Sequence, residues 1–357
     1  MEIFINARFL TQVHTGVQRY AEEVVRALDT LIDTGEIDPK YSFTLLAPRR
    51  NCRQLELKHI PLHRVGHLTG HFWGQLELPW FARKGFLVNL CNVAPAIKQN
   101  QLVTIHDAGV FATPESYSRS FRIWYRWLTR RVALKSIQIT TDSIFSKSEI
   151  EKYLAVPTDK IKCIPLGCEH IKRPVADTDF LIKNKLIDRP YFLAVSSLSH
   201  RKNFEAIVKI AKCTEFNFVV VGGVNPRVFG TNQMNWPERI SYLGAVNDRQ
   251  LKALYQQAVG FVYPSFYEGF GLPPLEAMTC SCPVIVSDIP PHREVCGEAA
   301  LYFNPHDTDD IISKMSVLAT DTEKRQYLIA QGQERAKLFS WTNTARQIYT
   351  LISSLAK

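Results

Sequence analysis

Pro264-Ser265-Phe266-Tyr267-Glu268-Gly269-Phe270-Gly271-Leu272-Pro273-Pro274-Leu275-Glu276-Ala277 is the stretch that decides the fold. The apolar run Gly260–Tyr263 comes just before it, so the order reads strand, tight turn, helix. A helix that begins near Leu272 or Pro273 leaves its first backbone N–H groups unpaired and aimed at the turn. Such an end favours anions, phosphate above all. Glu268 and Glu276 lie eight positions apart. Glu268 stands at the mouth of the turn, and Glu276 lies about one helical turn inside. A carboxylate accepts hydrogen bonds well from vicinal hydroxyls. Together these features point to a site for a sugar that carries a phosphate.

Short apolar runs recur on both sides of this segment. In the C-terminal half they are Tyr191–Ser196, Phe218–Gly222, Ile240–Leu243, Val262–Pro264, Val284–Ser287 and Ala300–Phe303. Helical patterns at Phe204–Cys213, Asp248–Ala258 and Pro274–Cys280 lie between several of them. Continuous apolar strands alternating with helices indicate a parallel sheet covered on both faces, a doubly wound Rossmann-like domain. The N-terminal half repeats the pattern with more noise. Ile3–Asn6, Phe43–Ala47, Val88–Leu90, Leu102–Ile105 and Ile137–Thr140 read as strands, and Gly16–Leu28 and Arg119–Lys135 as helices. The polar run Lys172–Pro190 is expected to carry the linker, and Thr342–Ala356 a final helix.

A chain of 357 residues is too long for one ordinary core and predicts two domains. No apolar run approaches the roughly 18 residues needed to span a membrane. Met1-Glu2-Ile3-Phe4-Ile5 enters a strand directly, so no signal peptide is expected. The eight cysteines are scattered. The pairs Cys163/Cys168 and Cys280/Cys282 lack the spacing and neighbouring histidines of a zinc site, so reduced structural cysteines in a cytoplasm are expected. The net charge of +9 suits nucleic acid, an anionic membrane or an anionic substrate.

The opening segment resembles the Glu-x7-Glu motif of retaining glycosyltransferases of family 4, and residues 263–288 follow that family's pattern almost throughout. The resemblance implies an α/β chain of the GT-B fold: two Rossmann-like domains facing each other across a cleft, with the C-terminal helix crossing back to the N-terminal domain. The implied domains are 1–172, binding the acceptor, 173–340, binding a nucleotide sugar, and the helix 341–357. The implied activity is transfer of a sugar from a nucleoside diphosphate donor to a glycan or lipid-linked glycan acceptor, with retention of anomeric configuration. Trp73-Gly74-Gln75-Leu76-Glu77-Leu78-Pro79 and Val103-Thr104-Ile105-His106-Asp107 look most like bacterial mannosyltransferase-like members that build surface polysaccharides such as O-antigen, which makes GDP-mannose the first donor.

Residue roles are carried over on matching motifs. Ser199-His200-Arg201-Lys202-Asn203 resembles the family's Arg-Lys-Asn stretch, where the basic pair neutralises the leaving diphosphate. A planar fork and a compact point charge together suit that task. Just upstream, many members carry a glycine and then Arg or Thr where Ser196 and Ser197 stand, so Ser197 offers a hydroxyl and a third cation is absent. Glu268 is expected to hold donor-sugar hydroxyls and Glu276 the nucleotide ribose, with Gly269, Phe270, Gly271 and Leu272 forming the turn and helix start. His106 ends an apolar strand, where a side chain in an open α/β sheet faces the ligand crevice; the matching His contacts the donor sugar. Thr15-Gly16-Val17-Gln18-Arg19 resembles the family's N-terminal glycine loop, with Gly16 allowing close approach and Arg19 adding charge. A plain helix cap by Thr15 is the alternative. Gly222, Gly244 and Val246 would line the base and ribose. No metal or other cofactor is expected, since the anion site already has cations and a helix terminus.

Arg119, Arg122, Arg126 and Arg130 form one stripe of a helix, with Phe121, Trp124, Tyr125 and Leu128 mainly opposite. A basic, aromatic-rich helix over 119–135 suggests peripheral contact with the anionic inner face of the cytoplasmic membrane; the alternative is buried aromatics with arginines in water. No nucleic-acid partner is expected. The rival functions are a GT-B epimerase of nucleotide sugars, a phosphorylase-like enzyme, and a non-catalytic basic Rossmann protein.

Overall fold

Every paired strand in the computed structural model, which describes residues 1–195, 199–223 and 236–356, runs parallel to its neighbours. The first sheet holds β1 (Glu2–Asn6), β2 (Ser42–Pro48), β3 (Leu62–Val65), β4 (Phe86–Asn89), β5 (Gln101–Thr104), β6 (Gln138–Thr141) and β7 (Ile161–Cys163). Their spatial order is β3-β2-β1-β4-β5-β6-β7. The second sheet holds β8 (Phe192–Val195), β9 (Phe218–Val221), β10 (Ile240–Gly244), β11 (Gly260–Tyr263), β12 (Val284–Ser287) and β13 (Ala300–Phe303), in the order β10-β9-β8-β11-β12-β13. Both orders reverse direction once, between β1 and β4 and between β8 and β11. In such sheets ligands bind outside the carboxyl ends of the strands at that reversal. The sequence pattern already contained this: β4, β9, β11 and β12 are buried along their whole length, as unbroken apolar runs require.

The chain divides into two compact units. One comprises Met1–Phe111, Arg119–Gly167 and Ser340–Lys357; the other comprises Ala112–Ser118 and Cys168–Phe339. After the short excursion Ala112–Ser118, the chain passes to the second unit between Gly167 and Cys168 and returns between Phe339 and Ser340. The turn Glu169–Lys172 belongs with the second unit because His170 hydrogen-bonds Glu276 there. The polar run Lys172–Pro190, expected to be a linker, contains the helix Thr178–Lys183, capped by the Asp177 carboxylate.

In the first unit the helix Trp341–Leu355 packs on the helix Gly16–Asp33. Trp341 is fully buried with its ring 6.0 Å from that of Tyr20, and the Tyr349 hydroxyl accepts from the Asp38 amide. The Trp73–Pro79 segment is scaffolding. Trp73 is buried and donates to the Val65 carbonyl, Gln75 bridges Ala94 and Ala96, and Glu77 accepts from the His67 and Leu68 amides. In the second unit Phe192, Val220, Val262 and Ile285 of the sheet pack against Ile207, Ile210 and Met315 of the covering helices. That rigid layer holds the loops at the carboxyl ends of β8 and β11.

Candidate active site

The loop after β11 and the loop after β8 meet at the reversal point of the second sheet. The Phe266 amide donates to the Arg201 carbonyl at 2.8 Å, which ties the two loops together. The helix Leu272–Thr279 starts where the sequence places it, with Gly271 as its cap at φ +120°. That conformation strains any side-chain-bearing residue, and a Cβ there would sit 3.5 Å from the His292 ring. Pro273 and Pro274 need no N–H in the first turn.

Lys202 Nζ donates to Glu268 Oε1 at 2.5 Å and to the Tyr263 hydroxyl at 2.7 Å. Glu268 is buried. Burial alone would raise its pKa, but the Lys202 and Arg201 charges outweigh that and hold the carboxyl down at about 2. The same burial pushes the Tyr263 phenol well up, with the Glu268 charge adding to it. Two half-buried cations and one buried carboxylate therefore meet beside a helix start.

Glu276 is also buried, and both its oxygens are engaged. His170 Nε2 lies 2.9 Å from Oε1, and the Tyr255 hydroxyl donates to Oε2 at 3.2 Å. Neither partner was legible in the sequence, because residues 170 and 255 are far from 276 along the chain. Gly222 and Gly244 come together as expected of neighbouring strand ends: the Gly222 amide donates to the Gly244 carbonyl at 2.9 Å. Val246 is half-buried just beyond. Phe270 packs edge-on to Phe339, and Leu272 is buried. Asn203 takes a left-handed conformation and donates to the Pro305 carbonyl, so the third residue of Arg-Lys-Asn pins the loop. A cavity of about 430 Å³ opens beside it, floored by the stacked rings of Phe266 and His306. Ser197 lies outside the described residues.

His292 is a site residue that sequence reasoning missed. Its ring is fully buried 5.5 Å from that of Tyr263. Nδ1 meets the Ser287 carbonyl at 2.9 Å, so it carries the proton, and Nε2 has no hydrogen-bond partner. Burial drives its pKa down to about 4. The available signal was its place just after β12, at the carboxyl edge of the sheet.

These two groups set an acid-lability window. Glu268 titrates at about 2 in the fold against 4.5 unperturbed, so its contribution is complete above 4.5 and fades as pH falls toward 2. His292 titrates at about 4 against 6.5, so stability is also lost as pH falls from 6.5 toward 4, where the buried neutral ring must charge. The melting temperature should drop in both intervals. His292→Gln should flatten the upper interval and Glu268→Gln the lower; curves parallel to wild type would contradict both assignments.

In the first unit His106 ends the strand β5 segment, as read from the sequence. Its Nδ1 lies 2.7 Å from Asp142 Oδ2 and its Nε2 3.0 Å from the Leu90 carbonyl. A carbonyl only accepts, so Nε2 carries a proton. Burial lowers the imidazole pKa, but the Asp142 carboxylate more than offsets this and the net direction is upward. The ring thus sits buried with its two nitrogens both engaged and with Tyr20 edge-on at 4.7 Å, while burial pushes the Asp142 carboxyl up. Thr15 caps the helix Gly16–Asp33 in a reciprocal arrangement with Gln18, which satisfies the capping alternative for that motif. Gly16 is exposed with open space around it, and Arg19 lies 3.8 Å from Glu23.

The helix Arg119–Lys135 departs in part from the expected polarity: Leu128 is buried and Arg119 and Arg130 are exposed, but Arg126 turns inward. Arg126 donates to the Val110 carbonyl at 3.0 Å, and Arg126 and Arg130 lie over the Phe111 ring. Phe121, Ile123, Trp124 and Trp127 are exposed instead. The inner face is made by Leu128, Thr129, Val132 and Ala133, with Arg126 laid along it through carbonyl and ring contacts, so most of the aromatics stay outside the core. A second exposed apolar stripe, Phe72, Leu76 and Trp80, lies in the same unit.

The chain carries two Asp-x-Asp triplets, Asp177–Asp179 and Asp307–Asp309. Asp177 and Asp307 both spend their carboxylates on helix starts. Among the described residues no cluster of three or more His, Cys, Asp or Glu is placed to hold a metal, and no helix is long and apolar enough to cross a membrane.

Residues 177–335 match the family described as Glycosyl transferases group 1. The chain is 34% identical over 267 residues to the O-antigen chain mannosyltransferase B of Escherichia coli, covering 70% of this chain and 69% of that relative. It is 33% identical to the O-antigen chain mannosyltransferase RfbU of Salmonella typhimurium, over 64% of this chain and 63% of that one. Among solved structures it superposes on the sucrose-phosphate synthase of Thermosynechococcus elongatus with a TM-score of 0.77 at 20% identity, covering 99% of this chain and 98% of that chain. Anabaena HepE, solved in complex with UDP-glucose, superposes with a TM-score of 0.71 at 16% identity, covering 99% of each. At such identities the structural likeness speaks to the fold, the two Rossmann-like domains of the GT-B class.

Proposed function

The chain belongs to the group 1 glycosyltransferases, and on that footing we propose that it transfers mannose from GDP-mannose to a hydroxyl of a glycan or lipid-linked glycan, with retention of anomeric configuration. The observation that carries the reading is the buried Lys202–Glu268 pair at the reversal point of the second sheet, beside a glycine-opened helix start. Arg201, Lys202 and that helix start take the diphosphate. Lys202 then divides its charge between Glu268 and a phosphate oxygen, and Glu268 turns its free lone pairs to donor-sugar hydroxyls. Glu276 has lone pairs left after His170 and Tyr255 and accepts from the ribose. His106, fixed by Asp142 and the Leu90 carbonyl at the carboxyl edge of the first sheet, helps to position the donor sugar.

In the transfer step the bond from the anomeric carbon to the diphosphate oxygen breaks. The acceptor oxygen bonds to the same face of that carbon, and the departing phosphate oxygen takes the acceptor proton. No enzymatic nucleophile is needed. The leaving charge is neutralised by Arg201 and Lys202, so no metal is required. Mannose is favoured by the names of the two bacterial relatives, and UDP-glucose is the competing donor because HepE binds it. Turnover of a panel of GDP-, UDP- and dTDP-sugars, with and without a chelator, tests this. Faster transfer from UDP-glucose overturns the donor, and abolition by chelator with rescue by Mn²⁺ overturns the metal-free step.

The acceptor's lipid would place the enzyme on a membrane, and the exposed Phe121–Trp127 face supports peripheral attachment. Aromatic rings settle at the interface while exposed arginines meet anionic headgroups. Each such arginine is worth about 1 kcal/mol. Arg119→Gln with Arg130→Gln should therefore weaken binding to anionic vesicles roughly 30-fold at low salt. Trp124→Ser with Trp127→Ser should weaken it in neutral vesicles too. Wild type that ignores anionic vesicles at low salt contradicts the attachment.

A further inference from the structure

The first unit contains a polar cavity that the transfer chemistry above does not use. It has a volume of about 210 Å³ and is lined by Arg8, Thr11, Gln12, Arg50, Asn51 and Thr69, among others. Arg8 follows β1, Arg50 follows β2, and Thr69 follows β3, so the cavity sits at the carboxyl edge of the first sheet. Arg8 is the informative member. Its residue is only 9% exposed, and burial drives its pKa down. Among the described residues no carboxylate pairs with its guanidinium; the Cys91 thiol and the Tyr125 phenol lie near it. Glu22, a carboxylate that like Arg8 acts on Cys91, is engaged by Arg53 at 2.7 Å and His14 at 3.4 Å. A buried guanidinium without a counter-charge is costly, and proteins keep one where an anion completes it. A second unsatisfied group adjoins it: His71 feels the Arg8 charge, and its Nδ1 is buried without a partner.

We infer that this cavity is a phosphate-binding site, in which Arg8 forks onto two phosphate oxygens, Arg50 adds charge from the rim, and the Thr11, Gln12, Asn51 and Thr69 side chains hydrogen-bond the remaining oxygens. Planar two-point contact to phosphate is the geometry a guanidinium favours. The volume is below the roughly 300 Å³ of a whole-ligand pocket, so it admits a headgroup only. The phosphate has two sources: the diphosphate of a lipid-linked acceptor, which rests on the proposed function, or free inorganic phosphate or diphosphate.

The test uses the full chain carrying Lys202→Ala, which quiets the donor loop, titrated with inorganic diphosphate by calorimetry. One remaining site is expected. Arg8→Met should weaken it at least tenfold and Arg50→Gln several-fold; Arg50 is exposed, so its replacement does not disturb the core. Unchanged diphosphate affinity in both variants, with native circular dichroism, overturns the site. In the enzyme with Lys202 intact, Arg8→Met should raise KM for a diphosphate-linked acceptor about tenfold and leave KM for the nucleotide sugar unchanged, which assigns the phosphate to the acceptor. Loss of diphosphate binding with an unchanged acceptor KM assigns it to free phosphate. Failure of transfer from every donor would sink the proposed function and leave the binding result standing.

Discussion

Lys202→Ala should lose on the order of 100- to 1000-fold in turnover, the cost of one charged contact made mainly as the diphosphate departs, about 2.7–4 kcal/mol. The geometry adds a second consequence. Lys202 is the partner of a buried carboxylate, and removing one member of such a pair destabilises by about 3–5 kcal/mol when nothing else compensates. Here Arg201 also acts on Glu268, so the loss should fall below that range. The two effects separate in the double variant Lys202→Met with Glu268→Gln. It should melt close to wild type, because both charges are gone, and remain as inactive as Lys202→Ala. Near wild-type turnover in Lys202→Ala, with unchanged nucleotide affinity, would remove Lys202 from the mechanism.

Glu276→Ala should act on binding and on stability together, whereas Glu268→Ala should act on turnover. The ribose belongs to donor and product alike, so a residue that holds it affects the free nucleoside diphosphate. Glu276 also accepts from two buried donors, His170 and Tyr255. Leaving either unsatisfied costs about 1–3 kcal/mol. The variant should therefore melt earlier and bind nucleotide at least tenfold more weakly. Glu276→Gln keeps one acceptor and should recover part of the stability. Glu268→Ala should leave nucleotide affinity within about twofold, since its partner in the ternary complex is the sugar. Calorimetric titration of both variants with nucleoside diphosphate alone decides this. Equal losses would mean that the two roles are misassigned.

The sequence alone determined the strand, turn and helix around Glu268, the two parallel sheets, and the position of Arg201-Lys202 at the end of β8. These depend on local order: apolar runs, glycine and proline in the turn, and residues close in number. It also supported the family, because a dense motif within one short segment needs no tertiary knowledge. It left the helix Arg119–Lys135 undecided, since periodicity separates two faces without saying which one is covered, and there Arg126 turns inward onto Val110 and Phe111 while Trp124 and Trp127 stand exposed. Only the tertiary structure decided which distant residues complete the site. His170 and Tyr255 on Glu276, His292 behind Gly271, and Asp142 on His106 are contacts across many residues of chain. Charge states followed the same division. Lys202 and Glu268 are ordinary ions in a sequence, and only the folded closeness of Lys202 and Arg201, acting against burial, brings Glu268 to about 2. Desolvation and Coulomb energy depend on what surrounds a group in space, and a linear chain specifies those surroundings only after it has folded.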